Sequence, residues 1–571
     1  MERLSNLNLH KIFLTIIKKQ KIGFSLLIVT SCFGAIQQCI TPWIMRYIIN
    51  AMSLVKNEPI SIGNSVGLFI GTFAVSEIII RSQGVFIALV LPKFKSNIKD
   101  YFINAVLKKN YGYFLGAMPG SIIQKINDFT SSSERITQIV IYNFFTIILS
   151  ILLTASLLYS IEPIYSFIVV SWFIIHVITI CFRLKKSLPS IQSNNEIHSS
   201  ICGNLCDLIT RIVSVKTFFG TNYELKKLKK DLLNEELSSR RTQLLFEKIK
   251  VVQSVFSLLF ILGLILHQIN GFNIGKYSVG DFVFVFFVTF NLTNYVWFSS
   301  FQLTIFSREL GTLKASYDVL KKGEVDPFEA NKGCNVGSFL EPNLKLNNLT
   351  YAFPLGHKVI NDLSLEVNFG EKILLHGNSG SGKSTLAKIL VGLYSGFSGE
   401  ILINEKKLNE FSRNELNQLI ILVEQQTMLF NRTIRENICY SNTNYTKESL
   451  ERALHISGCD NFINSLSNGL DTKIGENGLV LSCGQIQRIS IARAVLFNPK
   501  ILILDESTSG LEKDLEKQVL SNLVTVSNQT LLVISHSKDF LSILPRTINL
   551  ATQVNNNNVD FYNKGVMSCQ N

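Results

Sequence analysis

The stretch HGNSGSGKST, from His376 to Thr385, decides the fold of the second half of this chain. It fits the phosphate-binding loop pattern GxxxxGK[ST] without a gap. The apolar run at 373–375 before it predicts a buried strand, and residues 386–393 after it predict a helix. Glycines in this pattern let the backbone wrap around a phosphate chain, so that amide N–H groups and the helix N-terminus face the negative charge. The sequence therefore predicts a nucleoside-triphosphate site.

Side chains of this loop and of a later strand have expected roles in that site. Lys383 is expected to reach the β- and γ-phosphates, and the Ser384 hydroxyl to ligate Mg²⁺. Further along, the run ILILDE at 501–506 predicts a buried strand that ends in two acids. Asp505 is expected to hold Mg²⁺ through water, and Glu506 to polarise the attacking water. The candidate nucleotide-binding residues of the loop are Gly377, Asn378, Ser379, Gly380, Ser381, Gly382, Lys383, Ser384 and Thr385.

Composition places the chain among membrane proteins. Its 571 residues are 47% hydrophobic and only 17% charged, and the apolar content is concentrated before residue 307. A mean hydropathy of +0.26 is too apolar for an ordinary soluble chain of several domains. The net charge of +13 would suit nucleic acid, but much of it lies in clusters between apolar runs. A membrane-topology signal explains such clusters better.

The cysteines and the N-terminus carry little further signal. The ten cysteines include no C-x-x-C pair. Cys202 and Cys206 stand at helical spacing without histidine partners, so we interpret them as reduced apolar residues rather than metal ligands. Polar and basic residues precede the first long apolar run, so no cleavable signal peptide is expected.

Six apolar segments are long enough to cross a bilayer, since a helix needs about 20 residues to do so. They are residues 22–45, 66–91, 136–161, 163–182, 251–275 and 282–307. Lysine and arginine cluster before the first segment, after the second, after the fourth and before the fifth. The positive-inside rule therefore predicts a multi-pass protein with both termini and the two long connections in the cytoplasm.

The two long connections, 92–135 and 183–250, predict helical stalks that reverse near residues 111–120 and 210–219. Such stalks either merely join helices or touch the nucleotide-binding domain with their tips. Composition leaves both interpretations open.

Polar residues within the spans are candidates for a substrate cavity. Glu77 and Arg81 stand one helical turn apart in the second span, where a charge costs about 2.5–3.5 kcal/mol, so they are expected to face protein or water. They form either part of a substrate path or an internal ion pair. The aromatic sixth span carries the amides Asn291, Asn294 and Gln302, which cannot face lipid unpaired without cost. They line either a cavity for a large amphipathic cargo or an ordinary helix contact.

Several motifs around the phosphate loop resemble those of ATP-binding cassette (ABC) exporters. The motif at 481–488 is similar to the LSGGQ signature, and the histidine loop at 534–536 to the switch of that family. The other matching stretches are TKIGENG at 472–478, VEQ at 423–425, NRTIRENI at 431–438 and the aromatic loop YAFP at 351–354. Their order and spacing match the family, and six spans precede them.

The resemblance implies a multi-domain membrane protein: an all-α six-helix transmembrane domain of the ABC exporter type and an α/β phosphate-loop ATPase domain with a helical signature subdomain. The expected boundaries are 1–322 for the first domain, 323–343 for a linker and 344–571 for the second. Such half-transporters work in pairs, either as a homodimer or with a paralogous half-transporter. The stalk tips are then coupling helices.

The resemblance also implies roles for further residues. Phe353 stacks on adenine, and Gln425 and His536 sense the γ-phosphate, Gln425 also contributing to the Mg²⁺ site. Two chains sandwich two ATP molecules between them. The signature residues that cap the ATP of the opposite chain are Ser482, Gly484 and Gln485.

The chain departs from the family pattern at several positions. Cys483 replaces a signature glycine, and Glu424 replaces a proline of the Q-loop. The usual SALD after the catalytic glutamate reads Ser509-Gly510-Leu511-Glu512, and the end of the chain contains an Asn-rich tail at 555–558. These departures leave slow ATP turnover open, while the primary catalytic set is intact.

The leading functional hypothesis is an ATP-driven exporter that uses ATP and Mg²⁺. A DNA-acting ATPase would not need six spans, so no nucleic-acid partner is expected. An ATP-gated regulatory membrane protein is the other alternative. The short N-terminus and divergent cassette resemble self-immunity exporters of antimicrobial peptides such as lasso-peptide microcins, which makes a peptide the first cargo expectation and a lipid or drug the alternative. The Ile-, Lys- and Asn-rich composition indicates a bacterial inner membrane.

Overall fold

The computed structural model describes residues 9–54, 60–116, 119–330, 341–353, 356, 358–378, 380–442, 444–475, 480–526, 528–536 and 538–550. Ser379, Pro354, residues 476–478, most of the expected linker and the Asn-rich tail lie outside these residues. The chain divides into a helical unit, Met1–Leu107 with Ala117–Gly323, and an α/β unit, Lys108–Gly116 with Glu324–Asn571. The first stalk tip therefore belongs to the α/β unit.

The helical unit consists of long helices. In chain order they are α1 (Leu9–Lys18), α2 (Lys21–Leu54), α3 (Ile60–Leu107), α5 (Pro119–Gln138), α6 (Thr146–Tyr159), α7 (Pro163–Thr210), α8 (Ile212–Thr217), α9 (Thr221–Asn273) and α10 (Val279–Lys321). A π-helical segment, Ile139–Phe145, joins α5 to α6. The short helix α4 (Tyr111–Leu115) lies in the α/β unit.

Among the described residues, five helices are long and apolar enough to cross a membrane, and a shorter apolar stretch, Pro163–Thr179, begins α7. The apolar segments expected at 22–45, 66–91 and 282–307 lie within α2, α3 and α10, and the segment expected at 251–275 lies within α9 except for its last two residues. The segment expected at 136–161 crosses the π-helical junction into α6. That six segments cross a membrane stays a prediction.

Each stalk continues a long helix and reverses at a short one. α3 ends at Leu107 and α5 begins at Pro119, with α4 between them. In the second stalk, α8 separates α7 from α9, and hydrogen bonds of Asn204 with Asp231 and of His198 with Glu235 show that these two helices are antiparallel. The His198 ring also lies 3.9 Å from the Sγ of Cys202, a neighbour that the sequence prediction missed.

Within the described part of the chain, no group of three or more His, Cys, Asp or Glu side chains is placed to hold a metal ion.

The α/β unit contains two sheets flanked by short helices. Its strands are β1 (Leu344–Ala352), β2 (Lys358–Val367), β3 (Lys372–His376), β4 (Ser398–Ile403), β5 (Lys406–Lys407), β6 (Ile420–Val423), β7 (Ile501–Asp505), β8 (Thr530–Ile534) and β9 (Arg546–Asn549). Its remaining helices are α11 (Pro327–Ala330), α12 (Lys383–Leu390), α13 (Arg413–Leu419), α14 (Ile434–Ile438), α15 (Lys447–Ile456), α16 (Asp460–Asn464), α17 (Cys483–Phe497) and α18 (Lys513–Val526).

The two sheets have different topologies. An antiparallel sheet has the order β2-β1-β4-β5, and a parallel sheet has the order β6-β7-β8-β3-β9. Every residue of β7 and β8 is buried, as continuous apolar runs in parallel sheets require. Because these strands run parallel in one sheet, the residues that follow β3, β6, β7 and β8 lie along the same edge. Ligands of such sheets bind at this carboxyl edge.

Candidate nucleotide-binding site

The phosphate loop connects β3 to α12 at that edge. α12 begins at Lys383, so the last residues of the phosphate-loop motif form its first turn, and the helix starts three residues earlier than the sequence predicted. It ends at Leu390 because Gly392 adopts a left-handed conformation with φ +68°. Gly382 has φ +90°, and a β-carbon there would lie 2.9 Å from the carbonyl oxygen of Val359. This glycine is therefore required by both conformation and space.

Lys383 is buried within the loop that it serves. Its Nζ donates hydrogen bonds to the carbonyl oxygens of Gly377 (2.9 Å) and Asn378 (3.0 Å). Burial lowers the pKa of this ammonium, although the acids after β7 partly oppose the effect. The hydroxyl of Ser381 is buried and has no hydrogen-bond partner in the described structure. A buried cation and an unpaired hydroxyl in a glycine-rich loop fit a polyphosphate ligand.

Ser384 and Asp505 form an oxygen-rich pair beside the loop. The Ser384 hydroxyl donates to the Asp505 carboxylate at 3.0 Å. Asp505 is the last residue of β7 and is 4% exposed, and burial raises the pKa of its carboxyl. A hydroxyl and a carboxylate are ligands that Mg²⁺ accepts directly or through water, so the donor set fits this ion.

Two predicted catalytic residues, Gln425 and His536, contact the carboxylate of the third, Glu506. Gln425 Nε2 donates to Glu506 Oε2 at 2.6 Å, and His536 Nε2 lies 3.1 Å from Glu506 Oε1. These residues follow β6, β7 and β8, so the sheet order places them together. Glu506 has φ +46°, a left-handed conformation that costs a non-glycine residue about 1–3 kcal/mol. Strain of this size at a functional side chain is typical of sites that fix a reactive group.

The aromatic loop lies at the end of β1. Phe353 is 38% exposed, and its ring meets those of Tyr351 at 5.3 Å and Tyr394 at 5.6 Å, both edge-on. The ring therefore remains partly accessible to a ligand. The sequence prediction missed Tyr394, because a lone aromatic residue after a helix gives no motif signal.

The signature residues begin α17. The Ser482 hydroxyl accepts from the backbone N–H of Gln485, and the Gln485 side chain accepts from the backbone N–H of Ser482. This capping box directs the helix N-terminus outward, and Ser482 and Cys483 are exposed. A β-carbon on Gly484 would lie 2.8 Å from the carbonyl oxygen of Gly510, so the helix starts in direct contact with the turn after Glu506.

The candidate cavity residues lie on two helices. Glu77 and Arg81 pair at 3.5 Å on α3, where the Arg81 side chain is 83% exposed in the single chain. Asn291, Asn294 and Gln302 lie on α10, with Asn294 exposed and the other two half-buried. α3 packs on α2 and α5, and α10 on α2, α5 and α9. The two groups thus stand on separate helices that both pack on α2 and α5. That they line a substrate cavity stays a prediction.

An ion pair beside the Q-loop was also missed by sequence reasoning. Glu424, which replaces a proline, pairs with Lys388 of α12 at 3.1 Å. The Lys388 ammonium also lies 5.8 Å from the ring of Tyr111 in α4. Only the unusual glutamate marked this position in the sequence, and its partner is far away along the chain.

Comparisons with known proteins agree with this geometry. Residues 360–509 match the family described as ABC transporter. The ATP-dependent lipid A-core flippase of Pectobacterium atrosepticum is 42% identical over 196 residues, which are 34% of this chain and 34% of that protein. The protein of the same description in Escherichia coli is 37% identical over 235 residues, 40% of each chain. The matched part is thus well under half the length of these curated relatives.

The fold is also that of a solved transporter. A bacterial Atm1-family ABC exporter with ATP bound superposes with a TM-score of 0.84 over 94% of both chains, at 19% identity. Residues 360–509 are therefore an ABC transporter ATPase domain, for which ATP is the expected ligand. The whole chain has the ABC exporter fold, with a mostly helical part and an α/β nucleotide-binding part.

Proposed function

We propose that this chain, a half-transporter with the ABC exporter fold, couples ATP hydrolysis to the export of an amphipathic lipid across a membrane. The observation that carries the proposal is the Glu506 carboxylate, held by Gln425 and His536 beside the phosphate loop. A carboxylate fixed there polarises the water that attacks the γ-phosphate. Gln425 and His536 orient it, and the nucleotide's adenine stacks on the exposed face of Phe353.

Ser384 and Asp505 are the residues that would hold Mg²⁺. The ion, when bound, neutralises charge on the β- and γ-phosphates. Lys383 would exchange its two loop carbonyls for phosphate oxygens. Gln425 donates its amide to Glu506, so its contribution to the Mg²⁺ site would require its side chain to turn.

Two copies are needed to complete each nucleotide site. Ser482 makes its hydrogen bonds within its own helix, and the N-terminus of α17 is exposed together with Cys483. The positive N-terminal end of a helix binds anions. We therefore expect the N-terminus of α17 to contact the γ-phosphate of the ATP that the other chain holds. A homodimer with two equal sites is the simplest symmetric solution, and a paralogous half-transporter is the alternative partner.

The membrane and cargo assignments rest on the helical unit. Five described helices are apolar enough to cross a bilayer, and the distribution of lysine and arginine supports cytoplasmic termini. The Ile-, Lys- and Asn-rich composition supports a bacterial inner membrane. Large aromatic residues of α10 remain exposed in the single chain beside Asn294: Phe287, Phe290, Trp297, Phe298 and Phe301. A surface that mixes rings with an amide suits a molecule with an apolar body and a polar head.

The cargo expectation from sequence shifts accordingly. The relatives' descriptions name lipid A-core as the molecule moved, which supports the lipid alternative over the antimicrobial peptide. The matches cover only 34% and 40% of these relatives, so we propose the class of cargo, a lipid, and no particular lipid.

Proteoliposomes test this proposal. Purified protein in vesicles of phosphatidylethanolamine and phosphatidylglycerol should hydrolyse ATP, and rough lipopolysaccharide added to the vesicles should stimulate turnover severalfold. A cationic amphipathic peptide at the same concentration should stimulate less. Glu506→Gln is the inactive control, and Glu448→Gln, on the exposed start of α15, is the matched control. Stimulation by the peptide alone would contradict the lipid assignment, and ATP turnover without any stimulation or transport would favour a regulatory protein.

A further inference from the structure

The segment that follows α10 is joined to the first stalk tip by backbone hydrogen bonds. The sequence predicted a linker from residue 323. In the structure, the backbone N–H of Asn110 donates to the carbonyl oxygen of Glu324 at 3.0 Å, and that of Asp326 donates to Lys108 at 2.9 Å. Lys109 and Val325 thus face each other as an antiparallel bridge. We call Glu324–Asp326 the connector and Lys108–Gly116 the tip.

The connector is in turn clamped to the α/β core through Arg413. The guanidinium of Arg413 donates to the Asp326 carboxylate from Nε at 2.9 Å and from Nη2 at 2.6 Å. Its remaining hydrogen bonds reach the carbonyl oxygens of Val391 and Gly392, where α12 ends. Both side chains are largely buried, with 17% and 14% exposed. A charge-assisted pair in this setting is stronger than an exposed one.

Apolar packing fixes the same segment. Phe328, two residues after Asp326, is 4% exposed within the core of the α/β unit, and Arg413 lies 4.7 Å from its ring. A β-carbon on Gly392 would lie 2.7 Å from that ring, so the backbone of the phosphate-loop helix ends directly against it. The tip makes a separate contact, because the rings of Tyr111 and Tyr394 lie 5.8 Å apart.

We propose that the connector and the tip form one coupling element that moves as a body with the end of α12, and that Asp326 and Arg413 are the positioning pair that fixes it there. The inference rests on the proposed function. α10 is the last long helix before the connector, and the tip joins α3 to α5. Two separate chain segments leading from the apolar helices therefore reach the nucleotide-binding core already bonded to each other. A displacement of the connector or of the tip therefore reaches the phosphate-loop helix without sliding of the connector against the tip.

A disulfide across the bridge tests whether tip and connector slide. The variant Lys109→Cys with Val325→Cys brings two thiols to facing positions of an antiparallel pair, where β-carbons are close enough for a disulfide. The oxidised variant should keep lipopolysaccharide-stimulated turnover and transport within about twofold of the same variant reduced with dithiothreitol. Wild-type protein under the same oxidant controls for the native cysteines. Loss of transport on oxidation, restored by reductant, would overturn the proposal.

The substitution Asp326→Asn tests the positioning pair. Removing one charge from the clamp weakens it by about tenfold in equilibrium constant, so the ratio of stimulated to basal turnover should fall about three- to tenfold while basal turnover persists. Asp471→Asn removes an aspartate from an exposed pair with Arg435 in the same unit and should leave the ratio unchanged. An unchanged ratio in Asp326→Asn would reject the positioning role. Absence of basal turnover in wild-type protein would instead reject the proposed function.

Discussion

A β-carbon added to Gly510 would lie 3.1 Å from the Sγ of Cys483. These are two of the positions at which the chain departs from the ABC pattern, and the structure brings them into contact. The missing methyl group at 510 leaves space for the thiol at 483. The side chain of Gln487 closes the same contact, because its Oε1 accepts from the backbone N–H of Gly510 at 2.9 Å.

We expect the two departures to be coupled in function. Gly510→Ala should crowd Cys483 and displace the start of α17, at a cost of about 1 kcal/mol or more. ATP turnover should therefore fall about fivefold in the wild-type background. In the Cys483→Gly background the same substitution should cost less, since the thiol contact is gone and only the contact with Gln487 Oε1, at 2.9 Å, remains. A double-mutant cycle on steady-state turnover measures the difference, and additive effects would show that the two positions are independent.

Glu506 should be the residue whose loss stops hydrolysis without stopping binding. Glu506→Gln keeps the shape and one acceptor but cannot polarise water, so turnover should fall by about 10²–10⁴-fold. ATP affinity should stay near that of wild-type protein, and ATP with Mg²⁺ should hold two chains together in size-exclusion chromatography. A variant that still hydrolyses ATP within tenfold of wild type would assign the chemistry to another group.

We expect the Asp505 carboxylate to lower the stability of the nucleotide-free protein while ATP turnover depends on it. Burial raises the pKa of its carboxyl, so the ionised form opposes folding. The penalty is absent below the ordinary carboxyl pKa, grows as the pH rises from there to the raised pKa, and is complete above the raised pKa. Asp505→Asn should therefore raise the thermal midpoint of nucleotide-free protein at pH 7 by about 2 °C and lose the gain in acid, while Mg²⁺-dependent turnover is lost.

Asp471→Asn is the control for the thermal midpoint, because the pKa of this carboxyl is shifted in the opposite direction. Hydrogen bonds from Arg435 hold the pKa of the Asp471 carboxyl below its ordinary value, so removing this charge should give no gain in midpoint. Equal thermal midpoints for Asp505→Asn and wild-type protein across the pH range would contradict the prediction, because they would show that the buried carboxylate carries no stability penalty.

The Lys388–Glu424 pair should be recoverable by exchange of its charges. Lys388→Glu or Glu424→Lys places like charges at a contact of 3.1 Å beside Gln425, and each should raise the KM for ATP about two- to threefold. The double exchange should recover most of the loss, because the attraction is restored in the reverse sense. A double variant no better than the worse single one would show that Lys388 acts through Tyr111 instead.

The sequence alone determined the nucleotide-binding half in considerable detail. The phosphate loop, the acids after an apolar strand and the signature are local patterns whose chemistry constrains adjacent residues, so spacing along the chain carries them. The ABC exporter expectation was confirmed by the family match and by the fold. Apolar runs likewise located α2, α3, α9 and α10, because the length of a run is also a local property.

Tertiary structure decided the contacts between distant residues that belong to no shared motif. The pairing of Asp326 with Arg413, the fit of Cys483 to Gly510 and the bridge from the connector to the tip join segments far apart along the chain. No local pattern encodes such contacts, since they depend on how sheets and helices place their ends. The residues expected to form a linker from 323 include Phe328, which is isolated in the sequence but lies buried in the core of the α/β unit. The linker boundaries themselves stay a prediction.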